Sequence, residues 1–288
     1  MRDGLLGWPA AFFNNHFAYT SRLNMGFSRG ALNLAARRLD PTQPATWEFS
    51  AFSQNGEDGI IDQLLSLVRK PNRYFLEIGA GDGLENNTSY LAFAKRYSGV
   101  MVEGDQDRSG DAQRFLQPLN WSVKYLNLFV EPGTASRVLD ECLHRDPDFF
   151  SLDIDSNDYF VMVALLEQGL RPKVVCVEYN SAFGPTATLS IRYTASLDYL
   201  GFHESQLYYG VSVAGWRTLF ERHGYRFVTV EARGVNAFFI DPDTVAVSAD
   251  LVGSAFAENT AQLQLHGTGW EGQFQKIQDM PFVATCPP

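Results

Sequence analysis

The sequence predicts an α/β protein built on a doubly wound, mostly parallel sheet. From Trp47 onward, short apolar runs alternate with helical patterns of about ten to fifteen residues. An antiparallel hairpin follows them. The glycine series Gly79-Ala80-Gly81-Asp82-Gly83 stands directly after the first apolar run, where such sheets turn from strand to helix and a ligand approaches the backbone.

Residues 1–45 are expected to form a helical arm. Leu32, Ala35, Ala36 and Leu39 fall at helical spacing over Ser28 to Leu39, with arginines on the outer face, and Asp40-Pro41-Thr42-Gln43-Pro44 stops the helix. Arg2, Arg22, Arg29, Arg37 and Arg38 against Asp3 and Asp40 make the arm net +3 and leave −13 on the remainder. It reads as a docking helix or active-site lid, or as a basic arm touching a membrane surface. Residues 46–250 form one catalytic domain, and 251–288 a tail packing on it.

Within the domain, Glu57 to Arg69 reads as a helix with Ile60, Ile61, Leu64, Leu65 and Val68 on one face. The predicted strands are Tyr74 to Ile78, Gly99 to Glu103, Ser122 to Leu128, Phe149 to Ile154 and Lys173 to Tyr179. Helices are predicted at Thr88 to Tyr97, Ala135 to Leu143 and Tyr159 to Gln168. A helix from Gly215 to His223 then leads into Tyr225 to Glu231, the turn Arg233-Gly234-Val235-Asn236, and Ala237 to Ile240.

With 288 residues, 45% hydrophobic and 19% charged, the chain is neither disordered, collagen-like nor a coiled coil. Its 23 basic and 33 acidic side chains give a net charge of −10, which argues against nucleic acid as a partner. Cys142, Cys176 and Cys286 are too scattered for a disulfide framework or a zinc site, and Cys176 sits in an apolar run as a core residue. No stretch of apolar residues is long enough for a transmembrane helix. Asp3 and Pro9 spoil the start as a signal peptide, so a cytoplasmic location is expected.

The G-x-G-x-G spacing differs from the dinucleotide fingerprint G-x-G-x-x-G, because Leu84 takes the place of the third glycine. Glu77, just before the turn, would repel a pyrophosphate and suits a ligand carrying an amine and a sulfonium. Glu103, twenty residues after Gly83, can accept both hydrogen bonds of a ribose diol, or else cap a surface loop.

Through Ser53-Gln54-Asn55-Gly56-Glu57-Asp58-Gly59-Ile60, then FLEIGAGDGLENNT, then the acidic segment near Asp153, the chain resembles class I S-adenosylmethionine-dependent methyltransferases. Within them it is similar to the FkbM-like group, from about Phe52 to about Asp241. The resemblance implies a seven-stranded Rossmann-like sheet ending in an antiparallel hairpin, with S-adenosylmethionine (SAM) as cofactor. It implies that Glu77, Gly79 and Gly81 face the methionine part, Glu103 the ribose, and Asn127 the adenine. Gln54, Gly83, Asn87, Gly104 and Asp153 complete the implied cofactor-binding set.

Asp153, Asp155, Ser156, Asn157 and Asp158 follow the fourth predicted strand, and Glu178, Tyr179 and Asn180 end the fifth. Neighbouring strands lie about 4.8 Å apart, so these tips converge where ligands bind. Unpaired carboxylates so close would repel unless a cation joins them, and Asp153, Asp155, Glu178 and Asn180 are the expected oxygen ligands of Mg²⁺. The alternative is helix capping by Asp155 or Ser156. His203 is the first candidate for the catalytic base, against a structural or surface role, and Asp153 is assigned to catalysis beside it. Phe183, Tyr193, Tyr199, Phe202, Tyr208 and Tyr209 form either an acceptor pocket or ordinary core.

The expected reaction is methyl transfer from SAM to a hydroxyl of a sugar-containing or polyketide-like natural product or glycan, assisted by Mg²⁺. The rivals are a metal-dependent glycosyltransferase using Asp153 and Asp155 as a D-x-D motif, and a non-catalytic binding module of the same fold. The expected partners are a small-molecule or glycan acceptor and further copies of the chain in a homo-oligomer.

Overall fold

A computed structural model describes residues 7–285, with side chains from residue 16 onward. Arg2, Asp3 and Cys286 lie outside the described residues. Strands β1 (Tyr74–Ile78), β2 (Ser98–Glu103), β3 (Val123–Asn127), β4 (Phe149–Leu152) and β5 (Val174–Glu178) pair in parallel. A three-residue strand β6 (Leu189–Ile191) follows, then β7 (Arg226–Val230) and β8 (Asn236–Ile240). The main sheet runs β3-β2-β1-β4-β5-β8-β7, with β8 antiparallel to both its neighbours. This is a seven-stranded, mostly parallel, Rossmann-like sheet. Its central strands are buried on both faces, which is why they read as continuous apolar runs.

Period-two alternation divides the strand side chains between two cores. Phe75, Phe149, Cys176 and Phe238 pack with Ile60, Ile61 and Leu64 of α2 (Glu57–Ser66) and with Leu116 of α3 (Gln106–Leu116). Leu76, Phe150, Val175 and Phe239 face Val138 and Leu139 of α4 (Ala135–Asp140). On that same side lie Val161 and Leu165 of α5 (Asp158–Glu167), and Trp216 and Phe220 beyond them.

The arm is one helix, α1 (Gly7–Ala36), far longer than its periodicity predicted. Its phase is also reversed. Leu32 is 73% exposed, whereas Arg37 just past the helix turns inward. The cause is the polar loop beneath: Arg37 donates to the carbonyls of Trp47 and Gly59 and pairs with Asp62 at 3.3 Å. Tyr19 and Leu23 supply the buried contacts of α1 among its described side chains.

The helix predicted over Thr88 to Tyr97 is instead a single π-turn, Tyr90–Ala94. Asn120 donates to the carbonyls of both Ala92 and Tyr97, satisfying groups that a regular helix would have paired internally.

The insert after β5 carries α6 (Tyr199–Phe202) and leads to α7 (Val213–Arg222). The tail carries α8 (Thr260–His266), α9 (Trp270–Gln275) and β9 (Phe282–Ala284). Strand β9 pairs with β6, and Phe183, Leu207, Tyr208 and Ile277 form a third core between insert and tail. No described helix is long and apolar enough to cross a membrane.

Candidate active site

A cavity of about 570 Å³ opens along the carboxyl ends of the parallel strands. Its first wall is the turn after β1. Gly79 has φ +89°, and a Cβ there would lie 1.6 Å from the carbonyl oxygen of Asp153, so the β1 and β4 loops can touch only through a glycine. Gly81, φ +57°, faces open space and donates its N–H to Glu103 Oε2 at 2.7 Å. The other oxygen of Glu103 accepts from Asp105 N at 2.8 Å. Glu103 therefore braces the loops after β1 and β2 while lining the cavity, with lone pairs left for a ligand.

Glu77 also lines the cavity but is buried, accepting from Asn87 N at 2.9 Å and from the Thr88 hydroxyl. Burial pushes its carboxyl up to about 7 against the pull of those hydrogen bonds. Asn87, Gln54 and Gly104 join the lining.

The second wall is acidic. Asp153 and Asp155 line the cavity, and Glu178 stands outside the lining beside them, with oxygens of all three within 4.8 Å of one another. Asp153 and Glu178 are hydrogen-bonded, and burial plus mutual repulsion holds both carboxyls well above their usual range. Burial, then the charge of Asp158, pushes Asp155 up to about 6. Asp155 is held at φ +54°, a conformation uncommon for a side chain larger than glycine. Capping does not explain it. Asp158 orders the loop, accepting from Ile154 N at 3.0 Å and Ser156 N at 2.9 Å, while Asp155 stays in the lining.

Four predicted residues are placed elsewhere. Asn180 lies outside the cavity lining: it accepts from Ala182 N at 3.0 Å and donates to the carbonyls of Leu207 and Tyr209 at 2.7 and 3.0 Å. Its oxygen caps a short helical turn. Asn127 donates to the carbonyls of Glu103 and Gly104 from outside the cavity, so it shapes the β2 turn. Gly83 is a packing position, where a Cβ would meet Leu116 at 2.9 Å. His203 ends α6 outside the lining, its Nδ1 2.8 Å from Ser205 Oγ in a local turn.

The aromatic insert divides. Phe183 and Tyr208 are core, whereas the rings of Tyr199 and Tyr209 meet at a tilt, centroids 5.4 Å apart, and feel the charges of Asp153, Asp155 and Glu178.

Sequence reasoning missed Arg22, Glu57, Phe129 and Asn236, all of which line the cavity. Arg22 reaches it from α1 by an ion pair with Asp82, a contact between positions 60 residues apart that no local pattern shows. Glu57 stood inside the quoted motif, where its place opening a helix gave no hint of a side chain facing the cavity.

No family model and no curated protein matches the chain. Among solved structures it is similar to an O-methyltransferase from Bacillus cereus in complex with S-adenosylhomocysteine (SAH), with 16% identity and a TM-score of 0.42, covering 76% of this chain and 89% of that one. It is similar to a SAM-dependent methyltransferase from Thiobacillus denitrificans in complex with SAH at 15% and 0.35, covering 58% and 64%. The CurJ carbon methyltransferase is similar at 14% and 0.40, covering 84% and 70%. Strand order and register define the fold independently of these overlaps.

Proposed function

We propose that the chain is an FkbM-like, SAM-dependent O-methyltransferase acting in the cytoplasm. Its acceptor would be a hydroxyl on a sugar-containing or polyketide-like natural product or glycan. One observation carries the reading: a single cavity joins the glycine turn after β1, the acid at the tip of β2 and the carboxylates at the tip of β4. Bound there, SAM would supply an electrophilic methyl group.

Glu103 and the Gly104 turn would hold the ribose, with half-exposed Phe129, rather than Asn127, offering an apolar face towards the base. Glu77 and the Gly79–Gly81 backbone would receive the methionine end. The Asp153, Asp155 and Glu178 group would take the proton that the acceptor hydroxyl loses as its oxygen is methylated. Repulsion and burial raise the proton affinity of these carboxylates, so an ionised member of the group would be a stronger base than an exposed one.

The same three carboxylates form a hard oxygen donor set that fits Mg²⁺. With the ion bound, the acceptor hydroxyl would be acidified. Calorimetry tests both parts. Micromolar SAH binding supports the cofactor assignment, and its absence refutes it. Turnover unchanged by a chelator removes the metal from the reaction.

A further inference from the structure

A residue lining the β8 end of the cavity carries a buried polar atom that the protein itself does not satisfy. Asn236, the first residue of β8, is only 4% exposed and lines the cavity. Its Nδ2 donates to Glu57 Oε1 at 3.0 Å, which fixes the amide orientation, because the flipped amide would set its oxygen against a carboxylate. Its Oδ1 is then buried with no hydrogen-bond partner. A buried acceptor in this state is destabilising, and a ligand donor would remove that cost.

Glu57 also accepts from Asn55 N at 2.8 Å and Asn55 Nδ2 at 3.0 Å, so three donors hold its carboxyl group in place beside Asn236. Eight carboxylate residues line the cavity against Arg22 and Arg108, and Arg22 is already paired with Asp82.

Position separates this end from the cofactor. Asn236 is paired with Glu178 at the tip of β5, so it lies three strands from β1 and four from β2. At about 4.8 Å per strand that is roughly 14 and 19 Å from the turns assigned to methionine and ribose.

We propose that Glu57 and Asn236 form the acceptor's recognition subsite, and that it takes a protonated amine. The acceptor is thus a cationic, amine-bearing compound whose N–H bonds to Asn236 Oδ1 while a neighbouring hydroxyl is methylated. This deepens the methyltransferase reading and rests on it.

The test is calorimetric titration of the SAH-saturated protein with glucosamine, N-acetylglucosamine and glucose 6-phosphate. Glucosamine should bind at least tenfold more tightly than the other two, and Asn236→Ala should weaken glucosamine at least tenfold while SAH affinity stays within twofold. Equal binding of the three sugars, binding of none, or an unmoved glucosamine affinity in the variant overturns the subsite. The comparison of sugars needs no variant and stands whether or not Asn236→Ala folds. Failure of SAH itself to bind refutes the methyltransferase reading instead.

Discussion

Alanine at Gly79 and at Gly81, two residues apart in one turn, should have opposite consequences. At Gly79 the new Cβ lies 1.6 Å from the Asp153 carbonyl oxygen, and contacts below 3.0 Å are essentially never tolerated, so the two loops must part by at least 1.4 Å. That parting strains Asp153 N to Ile78 O and Ala80 N to Val102 O, both 3.0 Å. Each bond contributes about 1 kcal/mol, and an alanine at positive φ costs about 1–2 kcal/mol more, so the loss totals about 3–4 kcal/mol. At Gly81 the left-handed cost of about 1 kcal/mol stands alone, because nothing lies within 4 Å of the added carbon. Urea unfolding separates them. With a slope of about 3 kcal/mol/M, the midpoint should fall by about 1 M for Gly79→Ala and by about 0.3 M for Gly81→Ala. SAH titration should show the reverse order for the folded proteins: Gly81→Ala puts a methyl group into the cavity and should lose tenfold or more in affinity. Equal midpoints, or full SAH affinity in Gly81→Ala, would refute the assignment of one glycine to loop contact and the other to ligand approach.

Other outcomes follow from buried charge. Glu77 titrates near 4.5 when unfolded and about 7 when folded, so the native chain holds the extra proton between these values and stability should fall as pH rises through that window. Urea midpoints that rise from pH 5 to pH 7.5 would contradict this. SAM affinity should climb over the same window, since a cationic ligand favours the ionised carboxylates; a flat titration series would argue against contact. Lys173 pairs with Asp148 at 2.7 Å, both buried, so Lys173→Ala should cost about 3–5 kcal/mol in urea unfolding. Asn180→Ala should cost about 2–4 kcal/mol by orphaning the Leu207 and Tyr209 carbonyls. Should Mg²⁺ affinity fall in that variant with little change in stability, Asn180 would be a ligand after all.

The sheet was legible because its strands are buried on both faces and end in glycine or acid, a pattern that is local in sequence. Tyr74–Ile78 is predicted to the residue. The arm was not legible, because its docking depends on what lies under it: Arg37 is drawn inward by carbonyls of a loop whose needs the helix pattern does not record. In the site, Glu77, Glu103, Asp153 and Asp155 could be read as acids at strand tips. Asn180 could not be told from a ligand, since asparagine after a strand caps a turn or binds an ion with the same oxygen. Asn236 was hidden in a hairpin turn, where asparagine is common for its backbone alone.

The pairing of β6 with β9 also bears on how the protein is made. Leu189 to Ile191 meet Phe282 to Ala284, and Tyr208 bonds to the Pro281 carbonyl, so the insert between β5 and α7 gains its packing partners some ninety residues later. The cofactor side, from β1 to β5, can pair strand on strand as the chain emerges from the ribosome. The insert beside the acidic wall must wait for the segment near residue 284, and its aromatic rings stay exposed to water until then. The strands from β1 to β5 and the insert thus mature in sequence, and the late one is the stage at which a chaperone would find apolar surface to bind.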